Sequence, residues 1–173
     1  MKIGTLIAPI ALSIMLLLPT AVMAQHKGEK SVGLRGGFTT RQTTATAGLY
    51  FSYRFTEHFR ISPKMDYAFR HKGTDAFSFD MDFEMPFSLS PSGKANFYPI
   101  AGLNYSTFST HTIFTEDNGS DDTSQRSNEF GLALGAGVEY FATPTLRLAF
   151  ESKGILIKKY SGGWFNVSIG YVF

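Results

Sequence analysis

The stretch Ala76–Ser88, AFSFDMDFEMPFS, decides how this sequence is to be interpreted, because a large apolar residue occupies every second position from Phe77 to Phe87. One set consists of Phe77, Phe79, Met81, Phe83, Met85 and Phe87. The set between them contains Asp80, Asp82 and Glu84. Successive side chains of a strand point to opposite faces. The pattern therefore predicts a β-strand with one apolar face and one charged face.

The same alternation recurs in seven further segments. They cover 32–38, 47–55, 59–70, 97–106, 129–140, 146–153 and 164–173. Eight amphipathic segments of about ten residues are typical of a transmembrane β-barrel. We therefore expect an all-β fold, an eight-stranded antiparallel transmembrane barrel in up-and-down order. In such a barrel the apolar set faces lipid, and the last strand closes against the first.

The connections alternate in length. Short ones cover 56–58, 90–94 and 143–145, and longer ones cover 40–44, 71–75, 109–128 and 158–162. Short turns on the periplasmic side and longer loops outside are typical of outer-membrane barrels, so both termini are expected in the periplasm. Asn118–Gly119 is a tight-turn pair, and it predicts that the two sides of the 109–128 loop continue as a hairpin.

Aromatic residues of the apolar set collect at the two expected rims. Phe55, Phe59, Phe87, Phe97, Tyr140 and Phe173 fall at the periplasmic rim, and Phe38, Phe69, Phe77 and Phe130 fall at the outer one. Aromatic belts of this kind mark membrane interfaces.

Residues 1–24 have the features of a secretory signal peptide. Lys2 is followed by an apolar stretch over 3–18, and Val22 and Ala24 are small residues before the expected cleavage site. The alternative is an uncleaved transmembrane helix, but the stretch is short for one and contains Pro9. We expect the signal peptide to be cleaved and residues 25–173 to form the barrel domain.

Composition excludes several classes of function. The 173 residues contain no cysteine, which excludes disulfides, thiolate metal sites and a lipid-anchor cysteine. The net charge of +2 lacks the basic excess of a nucleic-acid-binding protein. Aromatic residues make up 15 % of the chain, although its mean hydropathy is only −0.04. Apolar residues are therefore numerous but interleaved with polar ones.

The polar set carries charges of both signs that nearly cancel. We expect them to form a charge network in the lumen, with members Arg35, Arg54, Arg60, Lys64, Asp66, Asp80, Asp82, Glu84, Glu129, Glu139, Arg147, Glu151 and Lys153. Eight strands leave an interior just wide enough for side chains to fill, and buried charges need partners. The network predicts a salt-bridged core without a continuous water channel.

The hairpins predict particular pairings within this network. Lys64 is expected opposite Asp80 or Asp82, depending on register. Arg60 is expected near Glu84, and Glu139 near Arg147.

Alternation alone also fits a secreted β-sandwich or a lipocalin-like barrel with the apolar set inside. Glycines on the polar set, as at Gly33, Gly102 and Gly137, favour a narrow lumen instead. The charge balance, the expected signal peptide and the terminal Phe173 also favour the membrane barrel.

Two segments carry a resemblance to a known family. FYPIAGLNYS (97–106) and GLALGAGVEYFATPTLRLAFESK (131–153) resemble strands of the small bacterial outer-membrane β-barrel family that includes OmpX and the OmpA membrane domain. The end of the chain resembles the family's C-terminal signature, with Phe165, Val167, Ile169, Tyr171 and Phe173 as the alternating set. The resemblance implies an outer-membrane location and recognition of the last strand by the barrel assembly machinery. It carries over no catalytic residues.

The sequence contains three further candidate sites, for catalysis, for a metal ion and for lipopolysaccharide. Some eight-stranded barrels modify lipid A with a His and a Ser, and here His111 lies near Ser109 and Glu116. Carboxylates suited to Ca²⁺ or Mg²⁺ occur at Glu116, Asp117, Asp121 and Asp122, but DNGSDD lacks EF-hand spacing, so a solvated loop is favoured. Basic residues at the outer rim are expected to meet lipopolysaccharide phosphates, and these are Arg41, Arg70, His71, Lys72, Lys158 and Lys159.

The sequence as a whole predicts a monomeric, non-enzymatic outer-membrane protein that binds no metal, cofactor or nucleic acid. We expect a structural or surface-interaction role through the outer loops, above all 109–128, with a protein ligand as one partner and membrane lipid and lipopolysaccharide as others. A porin-like small-solute channel and a lipid A-modifying enzyme stay open as alternatives.

Overall fold

The computed structural model describes residues 27–71, 73–116, 119–157 and 161–173, with the side chains of 111–125 outside the description. Its strands are β1 (Lys30–Thr39), β2 (Thr44–Thr56), β3 (Phe59–His71), β4 (Thr74–Glu84), β5 (Phe87–Ser88), β6 (Ala95–Glu116), β7 (Gly119–Thr143), β8 (Leu146–Leu156) and β9 (Gly162–Val172). Among the described residues, no helix is long and apolar enough to cross a membrane.

The sheet is a closed antiparallel meander, as the alternation predicted. Each long strand pairs with the next, β4 passes directly to β6, and β9 returns to pair with β1 from Trp164–Thr39 to Val172–Ser31. The ring therefore contains eight strands. The short β5 lies beside β6 and adds no strand to the ring.

Pro86 explains why the expected strand over 76–88 is interrupted. Proline has no N–H to give to a ladder. Pairing stops at Glu84 opposite Ile100 and resumes at Phe87 opposite Phe97, in unchanged register. β5 is therefore the continuation of β4 beyond a two-residue gap.

Strand register fixes the width of the barrel. Stepping from Lys30 to its partner in each successive strand leads around the ring to Gly163, whose carbonyl accepts the N–H of Thr40 at 2.9 Å. The circuit thus returns to β1 ten residues beyond its start. Eight strands with this stagger tilt by about 40° and leave a lumen just wide enough for side chains.

Most of residues 109–128, which the sequence predicted to be a long connection, form paired strands. β6 and β7 stay paired to Glu116 and Gly119, as the Asn118–Gly119 pair predicted. β4 accompanies β6 only to Thr110, and β8 accompanies β7 only from Leu132 onward. We call residues 110–132 the long hairpin. The end of the barrel that carries it is the hairpin end, and the end with the turns at 57–58, 89–94 and 144–145 is the short-turn end.

Side-chain burial is the reverse of that in a soluble domain, because apolar side chains are exposed and charged ones are buried. Leu34 is 61 % exposed, whereas the adjacent Arg35 is 4 % exposed, and Asp82 is fully buried beside the exposed Phe83. All ten aromatic residues expected at the two rims are exposed. An apolar exterior around a polar interior is the distribution of a barrel that contacts lipid.

Glycines in the lumen make room for a tyrosine. The Tyr50 ring is buried between Gly33 and Gly170, and a β-carbon at either glycine would overlap its atoms. The sequence pattern placed Gly33 on the inner face, and the structure shows why no larger residue stands there.

We expect Gly170→Ala to lower the free energy of unfolding by about 1–3 kcal/mol, the usual cost of overpacking. The added methyl would overlap the Tyr50 hydroxyl, so Tyr50→Phe in the same chain should recover part of the loss. Urea unfolding in detergent micelles, followed by the fluorescence of the only tryptophan, Trp164, measures both effects.

Gly154→Ala is the matched control, since the nearest atom to its new β-carbon would be the Leu134 carbonyl oxygen at 3.9 Å. Equal destabilisation by the two alanine substitutions, or a strictly additive double variant, would contradict this packing.

Candidate functional site

The lumen is filled by charged side chains from six of the eight strands of the ring, namely β1, β2, β3, β4, β7 and β8. Twelve of the thirteen residues expected there are at most 4 % exposed, and these are Arg35, Arg54, Arg60, Lys64, Asp66, Asp80, Asp82, Glu84, Glu139, Arg147, Glu151 and Lys153. They form two connected clusters along the barrel axis.

The first cluster lies toward the short-turn end and centres on Glu139. Its carboxylate accepts from Arg60 Nη1 at 2.8 Å and from Asn96 Nδ2 at 2.9 Å. Arg147 Nε lies 3.4 Å from Glu139 Oε2, and Arg54 Nη2 lies 3.7 Å from Oε1. One carboxylate therefore neutralises parts of three guanidinium groups.

Glu84 and Glu29 supply the remaining negative charge of this cluster. Arg60 Nε donates to Glu84 Oε2 at 2.6 Å. Arg54 Nη2 lies 3.7 Å from Glu29 Oε1. Sequence reasoning missed Glu29, because it precedes the first strand and no strand alternation includes it.

The second cluster lies further along the axis, around Lys64. Its ammonium contacts three carboxylates, Glu151 at 2.7 Å, Glu84 at 2.8 Å and Asp82 at 3.0 Å. The register places Lys64 opposite Asp80, while its Nζ reaches Asp82. The contact with Glu151 is a hydrogen bond, and the other two are ion pairs.

Arg35 and Lys153 complete this second cluster. Lys153 Nζ lies 2.7 Å from Asp80 and 3.2 Å from Asp82. Arg35 lies 3.2 Å from both Asp66 and Glu151, although its Nε and Nη2 are not aligned for hydrogen bonds. Opposite charges thus alternate through the middle of the barrel.

Two tyrosines pack against the charges. Arg60 stacks over the Tyr98 ring and Arg147 over the Tyr50 ring, each at 4.9 Å from the ring centre. Tyr98 also donates to Glu151 at 3.0 Å. The alternation assigned both tyrosines to the inner face but gave them no role.

An apolar layer follows the charges toward the hairpin end. Its buried members are Ala68, Ala76, Phe108, Ala133, Ile155, Ile157 and Trp164. This layer was not expected, because the interior was taken to be polar throughout. Trp164 and Ile155 occupy inward positions of their strands, which is the signal that could have revealed it.

Glu129 is a correction to the expected network. It is only half-buried, and its Oε1 accepts from Ser127 at 3.2 Å on the exposed part of β7. Ten residues separate it from Glu139 along one strand, which is about 33 Å. Glu129 occupies an inward position of β7, as Glu139 does, but it lies beyond the charged part of the lumen.

The C-terminal strand presents its alternating set outward. Phe165, Val167, Ile169 and Phe173 are exposed, and Tyr171 is half-exposed. Phe173 exchanges two backbone hydrogen bonds with Lys30, at 2.9 and 3.0 Å, which joins the last strand to the first.

The other candidate sites are less well defined. His71 is exposed at the β3–β4 turn and His58 at the β2–β3 turn. His26, and the side chains of His111, Glu116, Asp117, Asp121 and Asp122, lie outside the description. Within the described part of the chain, no three His, Asp or Glu side chains are grouped as metal ligands.

We expect Glu139→Gln to lower the free energy of unfolding by about 3–5 kcal/mol, the usual cost of leaving buried charges uncompensated. The substitution removes the negative charge that three arginines contact. Urea unfolding in micelles measures the change.

Glu57→Gln is the control, since Glu57 is exposed in a turn and its neutralisation should change stability by no more than about 0.5 kcal/mol. A similar small effect at Glu139 would show that the lumen charges are solvated.

Comparison with known proteins identifies the family. The model of the outer membrane protein beta-barrel domain matches residues 10–173. No curated protein sequence matches the chain.

Solved structures of the same architecture come from several bacteria. The N-terminal β-barrel domain of Pseudomonas aeruginosa OprF is 14 % identical, with a TM-score of 0.65 over 86 % of this chain and 100 % of that one. Neisserial surface protein A is 16 % identical, with a TM-score of 0.61 over 84 % and 96 %.

A third similar structure is that of Ail, the attachment invasion locus protein of Yersinia pestis. It is 16 % identical, with a TM-score of 0.56 over 85 % of this chain and 99 % of that one, and it has also been solved with the heparin analogue sucrose octasulfate. Identities this low show the fold alone. Together with the family match over nearly the whole sequence, they lead to one conclusion: this chain belongs to the outer membrane protein β-barrel domain family.

Proposed function

We propose that the protein is a monomeric, non-enzymatic barrel of the bacterial outer membrane whose long hairpin contacts protein partners at the cell surface. The observation that carries this proposal is the length of the hairpin. Among the described residues, neither β4 nor β8 accompanies it past Thr110 on β6 and before Leu132 on β7. The unaccompanied part of β7 extends about 40 Å.

The edges of the long hairpin are suited to strand addition. An unaccompanied strand edge offers backbone N–H and C=O groups to an extended segment of another chain. The described side chains along β7 before the barrel, Arg126, Ser127 and Asn128, are exposed and polar. Such an edge favours a water-exposed protein partner over lipid.

Orientation follows the length of the connections. We place the short-turn end and both termini in the periplasm, and the long hairpin outside. Residues 1–24 act in this proposal as a cleaved signal peptide, which leaves 25–173 as the barrel domain. The outward set Phe165, Val167, Ile169, Tyr171 and Phe173 serves as the signature read by the barrel assembly machinery.

Lipopolysaccharide is the expected lipid partner at the hairpin end. Arg41, Arg70 and His71 lie at that end, where lipid phosphates would face the exposed Arg70 and His71, whereas the Arg41 guanidinium lies over the buried Phe108 ring. Lys72, Lys158 and Lys159, which the sequence grouped with them, lie outside the description.

A small-solute channel is the alternative, and the packing of the lumen argues against it. Paired charges fill the middle, and the apolar layer lies between them and the hairpin end. We expect no large, stable, ion-permeable pore in planar bilayers. Sustained conductance from the purified barrel would make the channel the better assignment.

The hairpin role is tested by photo-crosslinking in living cells. We expect a crosslinking residue at Arg126, on the hairpin, to give protein adducts, while one at Leu34, on the apolar face, gives none. Replacing 111–124 by Asn-Gly shortens the hairpin between the paired residues Thr110 and Gln125, and should abolish the adducts.

Heat-modifiable gel migration of the outer-membrane fraction verifies that each variant is folded, since a folded barrel resists SDS until boiled. Absence of protein adducts at Arg126 in a folded, surface-exposed barrel would contradict the proposed role. Equal adducts with the intact and the shortened hairpin would contradict it as well.

A further inference from the structure

A cavity of about 450 Å³ opens at the hairpin end of the barrel, above the apolar layer. We call it the mouth pocket. Its walls include Arg41, Gln42, His71, Thr74, Thr110 and Ser127, and Phe108 forms its base. Its volume is typical of small-molecule sites, which measure about 300–1,000 Å³.

The mouth pocket is separated from the charged lumen. On β6 the inward positions proceed from Asn104, which donates to Asp80, through Phe108 to Thr110 in the pocket wall. Phe108 also belongs to the apolar layer with Trp164. A ligand in the pocket would therefore contact the polar walls and not the ion pairs below.

The turn that supplies Arg41 is held in place by β9. Thr40 N–H donates to the Gly163 carbonyl at 2.9 Å, and Gly163 N–H donates to Thr40 Oγ1 at 2.9 Å. Gly162 approaches Arg41 so closely that a β-carbon there would lie 2.8 Å from Arg41 Cβ. The guanidinium carbon is 3.6 Å from the centre of the Phe108 ring. Arg41 is thus positioned before any ligand arrives, which lowers the entropy cost of binding.

The same turn contains a strained residue. Thr43 has a φ of 52°, a left-handed conformation that β-branched residues rarely adopt. Strain of this kind persists where surrounding structure holds it, and it concentrates at ligand sites. Thr43 also lines the mouth pocket.

The chemistry of the walls selects the ligand. Among the described residues that line the pocket none is a carboxylate, whereas Arg41 offers a guanidinium and His71 an imidazole. Gln42 Nε2 is a buried donor without an acceptor. Arginine binds phosphate and sulfate oxygens through paired hydrogen bonds. The wall hydroxyls of Thr74, Thr110 and Ser127 both donate and accept, as sugar hydroxyls do.

We infer that the mouth pocket binds a phosphorylated or sulfated saccharide, with Arg41 at the anionic group and the hydroxyl-bearing wall at the sugar. This site is distinct from the strand edges of the long hairpin. It does not depend on the hairpin having a protein partner, so either role can fail alone.

Calorimetric titration of the membrane-purified barrel in phosphatidylcholine nanodiscs tests the inference. We expect glucose 6-phosphate to bind saturably, with a Kd at least ten-fold lower than that of glucose or of inorganic phosphate alone. Arg41→Gln should weaken this binding at least ten-fold. Arg126→Gln is the matched control at the same end, because Arg126 alternates with Ser127 and points away from the pocket.

Heat-modifiable migration excludes unfolded variants, and His71→Gln, with an expected weakening, replaces Arg41→Gln if that barrel does not fold. No saturable binding of glucose 6-phosphate overturns the inference. Equal affinity in Arg41→Gln and Arg126→Gln, or affinity no better than that for inorganic phosphate, also overturns it.

Competition by deacylated lipopolysaccharide distinguishes the two sources of such a saccharide. If it displaces glucose 6-phosphate, the ligand is supplied by the surrounding membrane. If it does not, the pocket serves a soluble phosphorylated sugar.

Discussion

The pairing of β1 with β9 is the contact on which the rest of the barrel depends. Lipid offers no hydrogen-bond partners, so a sheet with apolar side chains on its outer face must have no free edge within the membrane. Closing the ring with a ten-residue stagger sets the width of the lumen. That width explains why Gly33 and Gly170 flank Tyr50, since no larger residue fits there.

A narrow lumen then determines how the interior must be composed. Buried charges need nearby counter-charges, and Glu139 and Lys64 each form ion pairs with three groups of opposite sign. Toward the hairpin end the interior changes from charged to apolar, around Phe108 and Trp164. The apolar layer therefore separates the mouth pocket from the ion pairs.

Alternation predicted the fold because a period of two is a local property of each strand. It assigned Asp82 to the inside and Phe83 to the outside, and the register of the hairpin brought Lys64 to Asp82. The position of a residue along the barrel axis is not a local property, because it depends on the stagger of all the strands in the ring. For that reason Glu129 was assigned to the network although it lies ten residues, about 33 Å, from Glu139 along β7, and the apolar layer was missed. The mouth pocket was beyond prediction too, because Arg41, His71 and Ser127 come from three connections distant in sequence.

The most direct measurement is site-directed spin labelling along β9 in lipid bilayers. The chain contains no cysteine, so single labels at positions 165 to 169 need no background substitutions. With lipid outside and a packed lumen inside, labels at 165, 167 and 169 should be accessible to oxygen and shielded from an aqueous nickel reagent. Labels at 166 and 168 should be shielded from both. Accessibility of the odd-numbered positions to nickel, or their burial away from oxygen, would contradict a lipid-facing apolar surface.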